Sequence, residues 1–111
     1  MANAAARGAQ MLAGLRAVAE GRRAIGDVRG IGLMLALEFV KPDEGDGRVP
    51  DADAVRRVIA EAASRRLLLL SAGSYGQVIR IIPPLVTTAA EVDQALEIIA
   101  ASLDAAGMVR S

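Results

Sequence analysis

Residues 67–84, LLLLSAGSYGQVIRIIPP, constrain the fold more tightly than any other stretch of the chain. Two short apolar runs flank a turn that holds two glycines and two serines, an arrangement that favours an antiparallel hairpin. The first run, residues 67–70, follows the charged pair Arg65 and Arg66, is too short for a helix, and reads as a buried strand. The second, residues 78–82, is β-branched around Arg80. Pro83 and Pro84 end it, because neither donates a ladder hydrogen bond.

The rest of the chain supplies elements to cover that hairpin. Met11, Leu12, Leu15, Val18 and Ala19 recur at helical spacing and predict a helix over residues 3–20, with Gly21 as its stop. Residues 28–40 read as one strand, apolar on both faces near its middle, with Gly30 and Gly32 marking a bend or bulge. Residues 41–50 collect Pro, Gly, Asp and Glu and form a loop. Asp51 is placed to cap a second helix whose stripe is Val55, Val58, Ile59 and Ala62, ending near Arg66. Thr88 and Glu91 make a capping box for a third, with Val92, Leu96, Ile99 and Leu103 on its apolar face.

The order is helix, strand, helix, strand, strand, helix. It predicts an α+β domain with a small antiparallel sheet of about three strands and helices packed on one face. A chain of 111 residues fits a single domain spanning residues 1–111, with neither repeat nor linker. Hydrophobic residues make up 53% of it, yet Phe39 and Tyr75 are the only aromatics, so the core is built from Ala, Val, Leu and Ile.

Composition also removes whole classes of function. Thirteen basic and thirteen acidic residues cancel, so no long-range field draws in nucleic acid. The paired arginines 22/23, 56/57 and 65/66 fall near helix ends and on polar faces without interleaved aromatics, and are expected to lie in water. Without cysteine or histidine there is no thiol nucleophile, thiolate metal site or imidazole base. The acidic residues Asp43, Glu44, Asp46, Asp51 and Asp53 lack the calcium-loop pattern and imply no metal. No apolar run reaches the roughly 20 residues that cross a bilayer, and a cytoplasmic location is expected.

Arg80 is the leading functional candidate. Alternation places Val78, Arg80 and Ile82 on one strand face, and a guanidinium among apolar neighbours needs a carboxylate. That carboxylate is either internal, with Glu38 in the preceding strand as the candidate, or belongs to a ligand held by the two-pronged fork. Gly73 and Gly76 offer backbone amides to an anion or simply serve the turn through positive φ, and Tyr75 borders a pocket or only packs. The single lysine, Lys41, precedes Pro42, Asp43 and Glu44 in a solvated turn, the opposite of the desolvated site that activates a Schiff-base amine.

Residues 68–85, with their glycine-rich turn, strand arginine and double proline, resemble the small-domain signature of class III aminotransferases, especially those acting on 4-aminobutyrate. Residues 25–40, IGDVRGIGLMLALEFV, resemble the strand that opens the same domain, and the helices fall in the family's order. The resemblance implies the C-terminal small domain of a fold-type I enzyme whose large cofactor-binding domain is absent from this chain. It implies that Arg80 binds a substrate carboxylate, with Gly73, Tyr75 and Gly76 as the adjoining turn, and that pyridoxal phosphate serves the intact enzyme while none binds this chain alone. The expected partners are the large domain or a second subunit, with self-association also open. Transfer of an amino group between an amino acid such as 4-aminobutyrate and a 2-oxo acid would be the parent activity; the alternative is a non-catalytic helix-on-sheet interaction or regulatory module.

Overall fold

A computed structural model describes residues 2–31, 34–82 and 87–110. Its elements are α1 (Ala2–Ala19), β1 (Ile25–Ile31), β2 (Met34–Lys41), β3 (Val49–Pro50), α2 (Ala52–Ser64), β4 (Leu70–Ala72), β5 (Val78–Ile81) and α3 (Ala89–Ala105). The sheet is antiparallel and runs β1-β2-β5-β4, with β3 paired to β2. The α+β class and the helix order agree with the sequence. The strand count does not.

Residues 28–40 do not form the single strand expected: β1 and β2 are separate strands paired antiparallel, with Ile31 opposite Met34. A single strand of that length would extend about 43 Å at about 3.3 Å per residue, beyond what a small sheet can pair. Gly30 lies within β1, where a Cβ would meet Leu12 and Leu35 at 3.1 Å, so its lack of a side chain admits a helix contact. Gly32 lies outside the described residues, as do Pro83 and Pro84. The bulge falls earlier, between Ile25 and Asp27. Within the expected loop, Val49 and Pro50 pair with Lys41 and Val40, a place where an edge position tolerates proline.

The leucine run also differs from expectation. Leu69 is 7% exposed whereas Leu68 is 86% and Leu70 58% exposed, and strand pairing begins only at Leu70. The reason is that helices cover one face of the sheet alone, so alternation turns every second leucine outward. Leu35, Leu37 and Phe39 of β2 and Ile79 of β5 face the helices. Met11 and Leu15 of α1, Val55 and Val58 of α2, and Val92, Ile99 and Leu103 of α3 complete this core. Each such side chain contributes roughly 1.5–3 kcal/mol by leaving water.

The helix ends follow the sequence closely. Gly21 has φ +78°, as a helix stop requires. Asp51 accepts from Ala54 N at 2.9 Å, and Thr88 and Glu91 form the reciprocal capping box. One basic pair departs from expectation: Arg22 is 5% exposed, held by the ends of α1 and α3. No helix among the described residues is long and apolar enough to cross a membrane.

Candidate functional site

Register brings together what the sequence separates. Ala36 in the middle of β2 pairs with Arg29 on one side and with Arg80 on the other, and Arg80 pairs in turn with Leu70. Odd-numbered β2 residues face the helices, so Ala36 and its partners Arg29 and Arg80 share the open face. Arg29, Met34, Ala36, Ala72, Gly73, Val78 and Arg80 line a recess of about 290 Å³ there. Small Ala36 and Ala72 and the bare Gly73 leave the room, and the two arginines supply the charge.

Arg80 is exposed, and among the described residues its guanidinium has neither an ion-pair nor a hydrogen-bond partner. The internal pair with Glu38 is not formed. Glu38 lies opposite Val78, one side-chain row from Arg80, and lines a neighbouring polar recess with Arg23, Asp27, Asp46 and Arg48. Of the turn residues, Gly73 borders the Arg80 recess and has φ +89°, the left-handed region that glycine enters without steric cost. Gly76, at φ +67°, sits beside Ala52, and Tyr75 is 71% exposed away from the recess. The turn is closed from within: Gln77 Oε1 accepts from Tyr75 N at 3.1 Å, and Gly76 N donates to Gly73 O at 3.2 Å.

Arg29 is the site residue that sequence reasoning missed. The signal was present, since alternation over residues 25–31 would have placed it, but only once those residues are read as a separate strand. Among the described residues it pairs with Asp27 at 3.4 Å, both side chains being about half exposed. A second groove, between the β4–β5 edge and the helices, is lined mostly by leucine and isoleucine, with Arg80, Thr87 and Glu91 as its polar members.

Lys41 is the one lysine of the sequence. Lys41 is 42% exposed, lies 3.8 Å from Glu44, and stands five β2 positions from Ala36, roughly 17 Å along the strand. Among the described residues no cluster of acidic side chains is arranged to hold a metal.

The fold is an open-faced antiparallel sheet with helices on its other side, and Arg80 stands in a small recess on the open face. Residues 1–103 match the family model of class-III aminotransferases, and the chain belongs to that family, whose enzymes use pyridoxal phosphate. It is 42% identical over 99 residues to the 4-aminobutyrate aminotransferase GabT of Escherichia coli, a match covering 89% of this chain and 23% of that protein. It is 44% identical over 92 residues to the 5-aminovalerate aminotransferase DavT of Pseudomonas putida, covering 83% of this chain and 21% of that protein. Among solved structures, a phospholyase from Arthrobacter in complex with phosphoethanolamine superposes with TM-score 0.85 at 27% identity, over 94% of this chain and 24% of the other. A PLP-bound aminotransferase mutant from Vibrio fluvialis gives 0.80 at 28% identity, over 95% and 23%. The chain thus spans between a fifth and a quarter of the length of these proteins.

Proposed function

We propose that this chain is the small, substrate-recognising domain of a pyridoxal-phosphate-dependent aminotransferase of the 4-aminobutyrate type, and that Arg80 binds the carboxylate of the amino or oxo acid. The observation that carries this reading is the guanidinium of Arg80, without a partner among the described residues, in a recess floored by Ala36. An arginine presented this way is matched by a carboxylate through two parallel charge-assisted hydrogen bonds.

On this reading the chemistry that makes and breaks bonds belongs to the cofactor and to a large domain outside this chain, which matches 23% of the Escherichia coli relative. The lysine of this chain does not fit the cofactor, so no step is assigned to it. Leu68, Leu70 and Ile82, exposed along the β4–β5 edge, supply apolar surface on which such a domain would rest.

The test is to combine the chain with a class III large domain and follow amino transfer from 4-aminobutyrate to a 2-oxo acid. Activity should appear only with both parts, and Arg80→Ala should lower kcat/KM by about a hundredfold or more, the scale of a lost charged pair. Full activity with Arg80→Ala would remove the arginine from the site. No activity with any large domain would favour a non-catalytic interaction module.

A further inference from the structure

We infer that Arg29 is a second carboxylate-directed residue of the Arg80 recess, so that an anion bound there lies above Ala36 between two guanidiniums. The inference rests on the reading of Arg80 given above and adds a residue to it. Arg29 and Arg80 are register partners of one residue on the same open face. Their Cα atoms are therefore two strand spacings apart, about 10 Å, a gap that long side chains reaching over an alanine can close from both sides.

Charge on this face argues the same way. The next row along the sheet on this face holds two carboxylates, Asp27 and Glu38. Asp27 contacts Arg29 at 3.4 Å with side chains 45% and 53% exposed, respectively, a pair of the wet, long kind that contributes little and yields easily to a ligand. Glu38 pairs with neither arginine. Two like charges facing one small, concave, mostly apolar recess repel each other until an anion enters, and the concave wall concentrates their field where that anion would sit. Ala36 matters as much as the charges, because any longer side chain there would stand between the guanidiniums.

The probe is glutarate, titrated into the 111-residue chain and followed by NMR through the arginine Nε–Hε signals and the Ala36 amide, with uncharged glutaramide as control. Signals of both Arg29 and Arg80 should move along one saturation curve with glutarate and stay still with glutaramide. Arg29→Gln should weaken binding about fivefold, the scale of one partly exposed charge pair, and Arg29→Lys should restore part of it, which a purely structural role would not. Arg80→Gln should abolish saturation. If Arg29→Gln binds as the parent does while Arg80→Gln does not bind, the inference about Arg29 is wrong and the role of Arg80 stands. Binding indifferent to Arg80→Gln, or no saturable binding at all, would overturn both.

Discussion

Arg22, buried where α1 and α3 end, donates from Nη1 to Asp104 Oδ1 at 2.5 Å and to Met108 O at 2.7 Å, and from Nε to Val18 O at 2.7 Å. From α2, Arg57 Nη1 donates to Ala106 O at 2.6 Å. The last turn of α3 contains no basic residue of its own, yet two guanidiniums from elsewhere meet the carbonyls beyond its end. They satisfy orphan acceptors and oppose the negative pole of the helix. The three helices are thereby tied together on the side of the sheet away from the Arg80 recess.

The asymmetry of exposure predicts unequal costs for breaking this contact. The Arg22 side chain is 4% exposed and that of Asp104 is 57% exposed. Arg22→Met strands two carbonyls and should lower stability by about 2–4 kcal/mol. Asp104→Asn keeps an oxygen acceptor and leaves Arg22 its two carbonyl partners, so its cost should be about 1 kcal/mol. Urea unfolding of both variants and the double variant measures the coupling; equal single costs would mean that the carbonyl contacts are unimportant.

The leucine run shows both what was legible in the sequence and what was not. Capping residues announce themselves locally, so Asp51, Thr88 and Glu91 were placed from sequence, and helical periodicity found the buried stripes. Residues 67–70 carry no alternation, because leucine stands at every position. Which leucine is buried then depends on which sheet face the helices cover, a tertiary fact. Arg29 escaped for a related reason: its partner across Ala36 is about fifty residues away. Leu69→Ala should cost about 2–4 kcal/mol, and Leu68→Ala less than about 0.5 kcal/mol. Thermal unfolding of the pair checks the register; similar losses would mean that both side chains are buried.

The glycines of the β4–β5 turn should also separate under substitution. Both hold positive φ, but a Cβ on Gly76 meets only Ala52 at 3.5 Å, whereas one on Gly73 would lie 2.5 Å from Gln77 Oε1. Gly76→Ala should cost about 1 kcal/mol from backbone strain alone. Gly73→Ala should cost more, by displacing the Gln77 side chain that accepts from Tyr75 N, and should alter the Arg80 recess that Gly73 borders. Denaturant midpoints give the order, and the glutarate titration of each variant reports on the recess.

Arg66 presents the reverse case. It follows the C-cap Arg65 with φ +68°, while Leu67 N donates to Ala62 O at 2.9 Å, so the helix ends in a left-handed turn without the usual glycine. Left-handed backbone costs an L-residue roughly 1–2 kcal/mol, against roughly 0.5–1 kcal/mol for the greater freedom glycine loses on folding. Arg66→Gly should therefore stabilise the chain by about 0.5–1 kcal/mol, read as a raised urea midpoint at unchanged slope. A lowered midpoint would mean that the exposed guanidinium contributes more than its backbone strain costs.

At the start of α3, Thr88 N donates to Glu91 Oε1 at 3.0 Å while Glu91 N donates to Thr88 Oγ1 at 3.1 Å. Hydrogen bonding from the Thr88 backbone, and then from its side chain, holds the Glu91 carboxyl below the ordinary carboxylate range, with slight burial acting the other way. Because the folded value lies below the unfolded one, the stabilisation is complete above the unfolded value and disappears as pH falls through the folded value. Thr88→Ala removes the hydroxyl cap and should cost about 1 kcal/mol in neutral buffer; because the backbone N–H at residue 88 is kept, the Glu91 titration should return only part of the way toward that of a free side chain. Part of that loss belongs to the ionised carboxylate, so the gap between parent and variant should narrow in acid below the carboxylate range. An NMR titration of Glu91 in both proteins, with urea unfolding at the two pH values, tests this. A stability gap independent of pH, with Glu91 titrating alike in both, would show that the Thr88 hydroxyl acts on the helix backbone alone.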